Sequence, residues 1–215
     1  MVRNYFGLNG RSQTKDNQLN TLDDLIVAIG ELEGSRDYLL TVSNGYSFAN
    51  KEELERMNRV LHHHRDSLRE LVRVGVHEDV GVDFASRAGG HWHKVAEPVT
   101  VTQVYVSALS LGRYMSKGTT QDDWSALGTL ILEAAYELTL AVGAREALKQ
   151  KRTVDVFLTM PGLGVFGNKP IWVAQAAARA VKIARAKGAN INVHFVHFLK
   201  IDQSFAALLK DALRT

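Results

Sequence analysis

The chain has 215 residues, 46% hydrophobic and 23% charged, with three prolines and no cysteine. That length and mixture suit one sizeable globular domain, and the lack of cysteine excludes disulfides and thiolate-bound metals within the sequence. With 26 Lys and Arg against 23 Asp and Glu, the formal charge is only +3; that balance is compatible with an anionic small molecule and with weak, nonspecific contact with nucleic acid, though no run of five or six cations anchors the latter.

The longest apolar run, Ala126–Ala135, is interrupted by Gly128 and Glu133, short of the ~20 residues that span a bilayer. Met1-Val-Arg-Asn-Tyr5 has no hydrophobic signal core, so the expectation is a soluble, cytoplasmic protein without membrane contact.

Residues 1–36 are polar and broken by Gly7, Gly10, Gly30 and Gly34. They read as an extension covering a sheet edge, with one helix at Thr21–Glu33: Thr21 caps it, Asp23 and Asp24 suit its positive end, and Leu25, Ile26 and Ile29 form a buried stripe. Arg36–Val42 follows as a strand. Asn50 then caps a helix that runs toward Arg73, with a break expected at His62-His63-His64. Val72, Val74 and Val76, then Val80, Val82 and Phe84, alternate imperfectly, predicting a strand pair or a strand bent around His77–Asp79. Arg87–Lys94 reads as a loop, with Gly89-Gly90 as a hinge for the ligand-facing candidates His91, Trp92 and His93.

Val99–Ala108 is a Val-rich strand and Gly112–Thr120 a polar loop. From Asp122 to Gln150 the residues Trp124, Leu127, Leu130, Ile131, Ala134, Ala135 and Leu138 recur at helical spacing. A strand from Val154, a helix at Pro170–Lys187, a strand at Ile191–Phe198 and a helix over 201–215 complete the chain. Such alternation predicts one α/β domain over 1–215: a 1–36 extension, a 37–200 core and a 201–215 C-terminal helix. Its sheet is expected to be mixed but mostly parallel, with helices on both faces and ligands at the C-terminal strand ends.

The strand from Val154 runs into Pro161-Gly-Leu-Gly-Val-Phe-Gly-Asn168. Gly162, Gly164 and Gly167 can take positive φ and carry no Cβ, so successive N–H groups can face an anion at close range. Pro170 opens the next helix where a missing N–H costs nothing, and the helix dipole adds positive potential. The letters spell GxGxxG, yet the turn comes late in the chain and no acid follows at the ~20-residue distance of the dinucleotide fold. Asn168-Lys169-Pro170 also stands where a P-loop has its Lys-Ser/Thr pair.

Gly162-Leu-Gly-Val-Phe-Gly167 resembles the second ligand loop of macrodomains, the ADP-ribose-binding α/β modules, where such a turn wraps the diphosphate. The resemblance extends to the flanking helices and strands, from residue 72 to about residue 200. It implies a three-layer α/β/α fold and ligand contacts from Gly162, Leu163, Gly164, Val165, Phe166, Gly167 and Asn168. Typical macrodomains also carry an Asn-Ala-Ala-Asn run followed by three glycines, which orients the distal ribose. Here Val42-Ser-Asn-Gly-Tyr-Ser-Phe-Ala-Asn50 has only Asn44-Gly45 to match one step of it. The resemblance therefore implies a distal-ribose contact at Asn44 and Gly45, with Asn44 the one catalytic candidate if an ADP-ribosyl ester or phosphoester is hydrolysed. It implies an ADP-ribose-like molecule or an ADP-ribosylated target as partner, and no cofactor. A nucleic-acid-associated nucleotide-binding module without activity is the alternative reading; an NAD-dependent oxidoreductase is disfavoured by the turn's position.

Other clusters carry less. Adjacent His62, His63 and His64 point about 100° apart on a helix and cannot share one ion, so they read as a solvated face. His91 and His93 lack an identifiable third metal ligand. His194 and His197 face opposite sides of their strand. Asp155 is the only acid in the strand before the turn and reads as a structural or exposed residue, and there is no GxSxG nucleophile elbow. Phe166, Tyr114, Tyr46 and Phe198 are the aromatics available to stack on a base.

Overall fold

A computed structural model describes residues 2–5, 51–70, 72–82, 85–88, 91–94, 99–112, 115 and 118–215. The expected helix at Thr21–Glu33, the expected strand at Arg36–Val42, Asn44, Gly45, Tyr46 and Tyr114 lie outside those residues. The described strands are β1 (Val2–Tyr5), β2 (Val74–Val82), β3 (Ala85–Ala88), β4 (His91–Lys94), β5 (Val99–Tyr105), β6 (Val154–Leu158) and β7 (Ile191–Phe195). The helices are α1 (Lys51–His63), α2 (Arg65–Arg69), α3 (Ser125–Gln150), α4 (Pro170–Ala186) and α5 (Gln203–Arg214). This is the mixed α/β content that the alternating pattern predicts.

Helix α3 is the centre of the molecule. A 3₁₀ turn at Gln121–Trp124 leads into it, capped by Thr120, whose N–H and hydroxyl both donate to Asp123. Those bonds, the backbone one foremost, hold the Asp123 carboxyl below its ordinary range. Leu127, Leu130, Leu132, Ala134, Tyr136 and Leu140 are all buried, because α3 is packed by α1, α2, α4, β2, β6 and β7. A helix enclosed on several sides is apolar nearly all round rather than striped. Gln121–Gln150 is accordingly the one described stretch long and apolar enough to cross a membrane, which corrects the expectation that none approaches that length. Gly128 and Glu133 interrupt the apolar run without interrupting the helix. The most apolar window of this stretch is 56% buried inside the protein, as befits a core helix.

Glu133 is accommodated by pairing. Arg65 of α2 donates to it at 2.9 Å and Arg69 at 3.4 Å, and Arg69 also approaches Glu137, which Arg179 of α4 meets from the other side. The network ties α2, α3 and α4 with half-buried charges. Between α1 and α2 the helix breaks at His64, as expected, and His62, His63 and His64 are exposed.

Strands β1, β2 and β5 form an antiparallel sheet, β3 and β4 an antiparallel pair, and β6 and β7 a parallel pair in register Val154↔Ile191. The expectation of a mostly parallel sheet is corrected for the described residues, where three of four strand pairs are antiparallel. Parallel pairing needs a crossover connection; α4 supplies one between β6 and β7, whereas the short β3–β4 excursion lies between β2 and β5. That excursion also corrects the reading of Arg87–Lys94 as a loop, since Arg87 pairs with Trp92 and Ala88 with His91. The bend expected around His77–Asp79 is present: the β2–β5 register shifts between His77 and Val80, and Asp79 has φ of 54°.

Helix α3 lies close on β6 at Gly143, where an added Cβ would stand 2.4 Å from Val156 Cγ2. Gly143→Val should therefore destabilise the protein by about 1–3 kcal/mol through overpacking, read as a lower urea midpoint. Adding Val156→Ala should return part of that loss; an unchanged midpoint for the single variant would contradict this packing.

Candidate functional site

The glycine turn is built as its letters require. Gly162, Gly164 and Gly167 have φ of 88°, 64° and 71°, a region that residues with a Cβ reach at a cost. Gly162 and Gly167 are also sterically confined. A Cβ on Gly162 would lie 2.9 Å from the Asn168 amide, and one on Gly167 2.9 Å from Gly112 N. At Gly164 a Cβ would meet nothing within 4 Å among the described residues.

Four of the turn's carbonyls accept hydrogen bonds. Gly162 O accepts from Asn168 N–H at 2.8 Å and from Asn168 Nδ2 at 3.1 Å. Gly164 O accepts from Gly167 N–H at 3.1 Å, and Phe166 O from the N–H groups of Leu111 at 2.6 Å and Gly112 at 3.0 Å. Gly167 O accepts from Gln121 Nε2 at 2.5 Å. Gly164, Val165 and Phe166 form a single 3₁₀ turn, and the leading N–H groups of such a turn have no acceptor within it. With these four carbonyls engaged and its leading N–H groups without an acceptor inside the turn, the segment has the polarity of an anion nest. Pro170 stands at the first position of α4, with Lys169 before it.

The strand that delivers the turn is secured just upstream. Tyr136 of α3 donates its hydroxyl to Thr159 O at 2.8 Å, and burial pushes its phenol well above the usual range, keeping it a donor.

Among the expected ligand residues, Gly164, Val165 and Phe166 are exposed, Leu163 and Gly167 are half-buried, and Gly162 is buried. Asn168 is only 4% exposed. Its Nδ2 donates to Leu109 O at 2.6 Å as well as to Gly162 O, so its amide shapes the turn from within. Beside Phe166 opens a cleft of about 410 Å³, lined among others by Tyr105, Val106, Leu109, Ile131 and Ala135. Its volume lies within the range of small-molecule sites.

Gln121, Leu111 and Gly112 were not singled out from the sequence as part of this site. Gly112 carried the signal: a Cβ there would lie 2.2 Å from Val165 O, so the turn and the segment after β5 fit only around a residue without one. Gln121 carried none, because its role depends on a contact 46 positions away.

The remaining candidates have other partners. Asp155 is exposed on β6, bonded to His194 Nε2 at 2.8 Å and Asn192 Nδ2 at 3.1 Å. Those bonds, His194 foremost, hold its carboxyl below the ordinary range. His194 also stacks on Phe157 at 5.0 Å. His197 is half-buried beyond the end of β7, accepting from Asp202 N–H at 3.2 Å and set edge-on to Phe205. Phe198 is 87% exposed. Among the described residues, no group of three or more His, Asp or Glu side chains could hold a metal ion. Compared with known proteins, the chain matches no family model and no curated protein sequence.

Proposed function

We propose that this chain is a divergent macro-like module of three-layer α/β/α architecture that binds ADP-ribose or a related NAD-derived nucleotide. The observation that supports the reading is the polarity of the Gly162–Asn168 turn: the carbonyls of Gly162, Gly164, Phe166 and Gly167 are engaged, and a Cβ at Gly164 meets nothing within 4 Å among the described residues. A diphosphate seated there accepts hydrogen bonds from the backbone N–H groups of Gly164, Val165 and Phe166 under the positive end of the α4 dipole. Phe166, which lines the cleft together with Arg73 and Tyr105, supplies a ring face for the rest of the nucleotide. In this reading Asn44 and Gly45 contact the distal ribose. Hydrolysis of an ADP-ribosyl ester or phosphoester would add a water held between the substrate phosphate and Asn44, catalysis by position and electrostatics without a covalent intermediate.

Isothermal titration tests the reading with ADP-ribose, ADP, AMP and NAD at one salt concentration. One site should appear, with ADP-ribose bound at least roughly tenfold more tightly than AMP, a difference of about 1.4 kcal/mol. Equal affinity for AMP would remove the diphosphate from the turn. Affinity for nucleic acid that collapses with added salt, with none for ADP-ribose, would favour the nucleic-acid reading.

A further inference from the structure

The geometry points to Gln121 as the positioning residue of the anion turn, an assignment that rests on the nucleotide-binding reading above. The turn follows β6, and of its four engaged carbonyls three, those of Gly162, Gly164 and Phe166, are held by the turn itself or by the segment after β5. The fourth, that of Gly167, is reached by a side chain from another element: Gln121, at the head of the 3₁₀ turn that starts α3, donates Nε2 to it at 2.5 Å. Gly167 has left-handed φ and closes the 3₁₀ turn. The same peptide unit is held at its amide end, where Asn168 N–H donates to Gly162 O at 2.8 Å, so Gln121 supplies the hold on its carbonyl end; a glycine peptide held at one end only can tilt at little steric cost. Rotation at Gly167 would turn a carbonyl dipole toward the space an anion occupies and undo the run of N–H groups.

Neighbouring groups reinforce the anchorage. Asp122, the next residue, pairs with Lys169 at the head of α4, while Asp123 closes the Thr120 capping box. The segment Gln121–Asp123 is thus fixed at its own cap and grips the turn at both Gly167 and Lys169. Gln121 touches no reacting group in this reading; it acts through the Gly167 peptide. The expected consequence of losing the donor is a turn that samples several conformers, only one of them suited to a diphosphate, which lowers apparent affinity by the fraction lost.

The test uses Gln121→Met, which keeps side-chain length and neutrality and removes the donor. Two measurements run on the full chain: titration with ADP-ribose and with inorganic pyrophosphate, and ¹⁵N amide spectra of Gly164, Val165 and Phe166 without ligand. The variant should melt within a few degrees of wild type, bind both ligands at least tenfold more weakly, and show broadened or shifted amide signals in the turn. Wild-type affinity in the variant, or amide signals that do not change, would overturn the assignment. If wild type binds neither ligand, the nucleotide reading fails, while altered turn signals in Gln121→Met would still support Gln121 as the residue that sets the turn. Weakened binding in proportion to a large loss of melting temperature would also overturn it, because the role would then be general stability.

Discussion

Gly164→Glu should abolish ADP-ribose binding, lowering affinity at least a hundredfold, while leaving the fold in place. A Cβ at Gly164 meets nothing within 4 Å among the described residues, so none of their atoms has to move. The backbone cost of a left-handed φ at 64° is about 1–2 kcal/mol. Against that modest loss, the carboxylate enters the space where the proposed diphosphate lies, and like charges at a few ångströms in a partly desolvated site repel strongly. Gly164→Asn is the matched control: asparagine tolerates the left-handed region and adds bulk without charge. Calorimetry on the two variants separates the effects. Equal losses for Glu and Asn would point to bulk or backbone strain, and wild-type affinity in Gly164→Glu would remove this turn from the site.

Asn168→Asp should be the most damaging single-atom change in this region, at about 3–5 kcal/mol of stability near neutral pH. The substitution replaces Nδ2, which donates to Leu109 O and Gly162 O, with a carboxylate oxygen aimed at the same two carbonyls in a site 4% exposed. Burial and repulsion raise the folded-state pKa of the introduced carboxyl above its unfolded value. The penalty belongs to the ionised form. It is therefore fully present above the folded-state pKa and shrinks as pH falls below it, where the protonated oxygen can again donate to one carbonyl. Urea denaturation at pH 8 and pH 5 should show the gap from wild type narrowing on acidification. A gap independent of pH, or below about 1 kcal/mol, would mean that the buried amide does not hold the turn.

The second half of the chain was readable because its signals are local. Helices α3 and α4 and strands β6 and β7 match the elements expected from the sequence to within a few residues, since their periodicity, caps and glycine punctuation lie within each segment. The left-handed glycines of the turn were legible for the same reason. Sheet direction was not: whether β2, β3, β4 and β5 pair in parallel depends on what joins them, which lies outside each strand's own pattern. Asn168 was legible as part of the turn but not as a buried clamp, because Leu109, 59 positions away, is invisible to local pattern. Gln121 was hidden more completely still, a polar residue just ahead of a helix with nothing to mark it.

The anchors of the turn give α3 a second role. Tyr136 and Gln121, both on the Gln121–Gln150 stretch, hold the peptide bonds on either side of the glycine run. The turn therefore does not hang from the sheet as an independently moving flap. It belongs to the same cooperative folding unit as the core helix, so whatever occupies it also raises the free energy needed to open the core, by an amount set by concentration relative to affinity. A protein arranged in this way would respond to a ligand bound at the turn through its lifetime against unfolding and proteolysis as well as through occupancy.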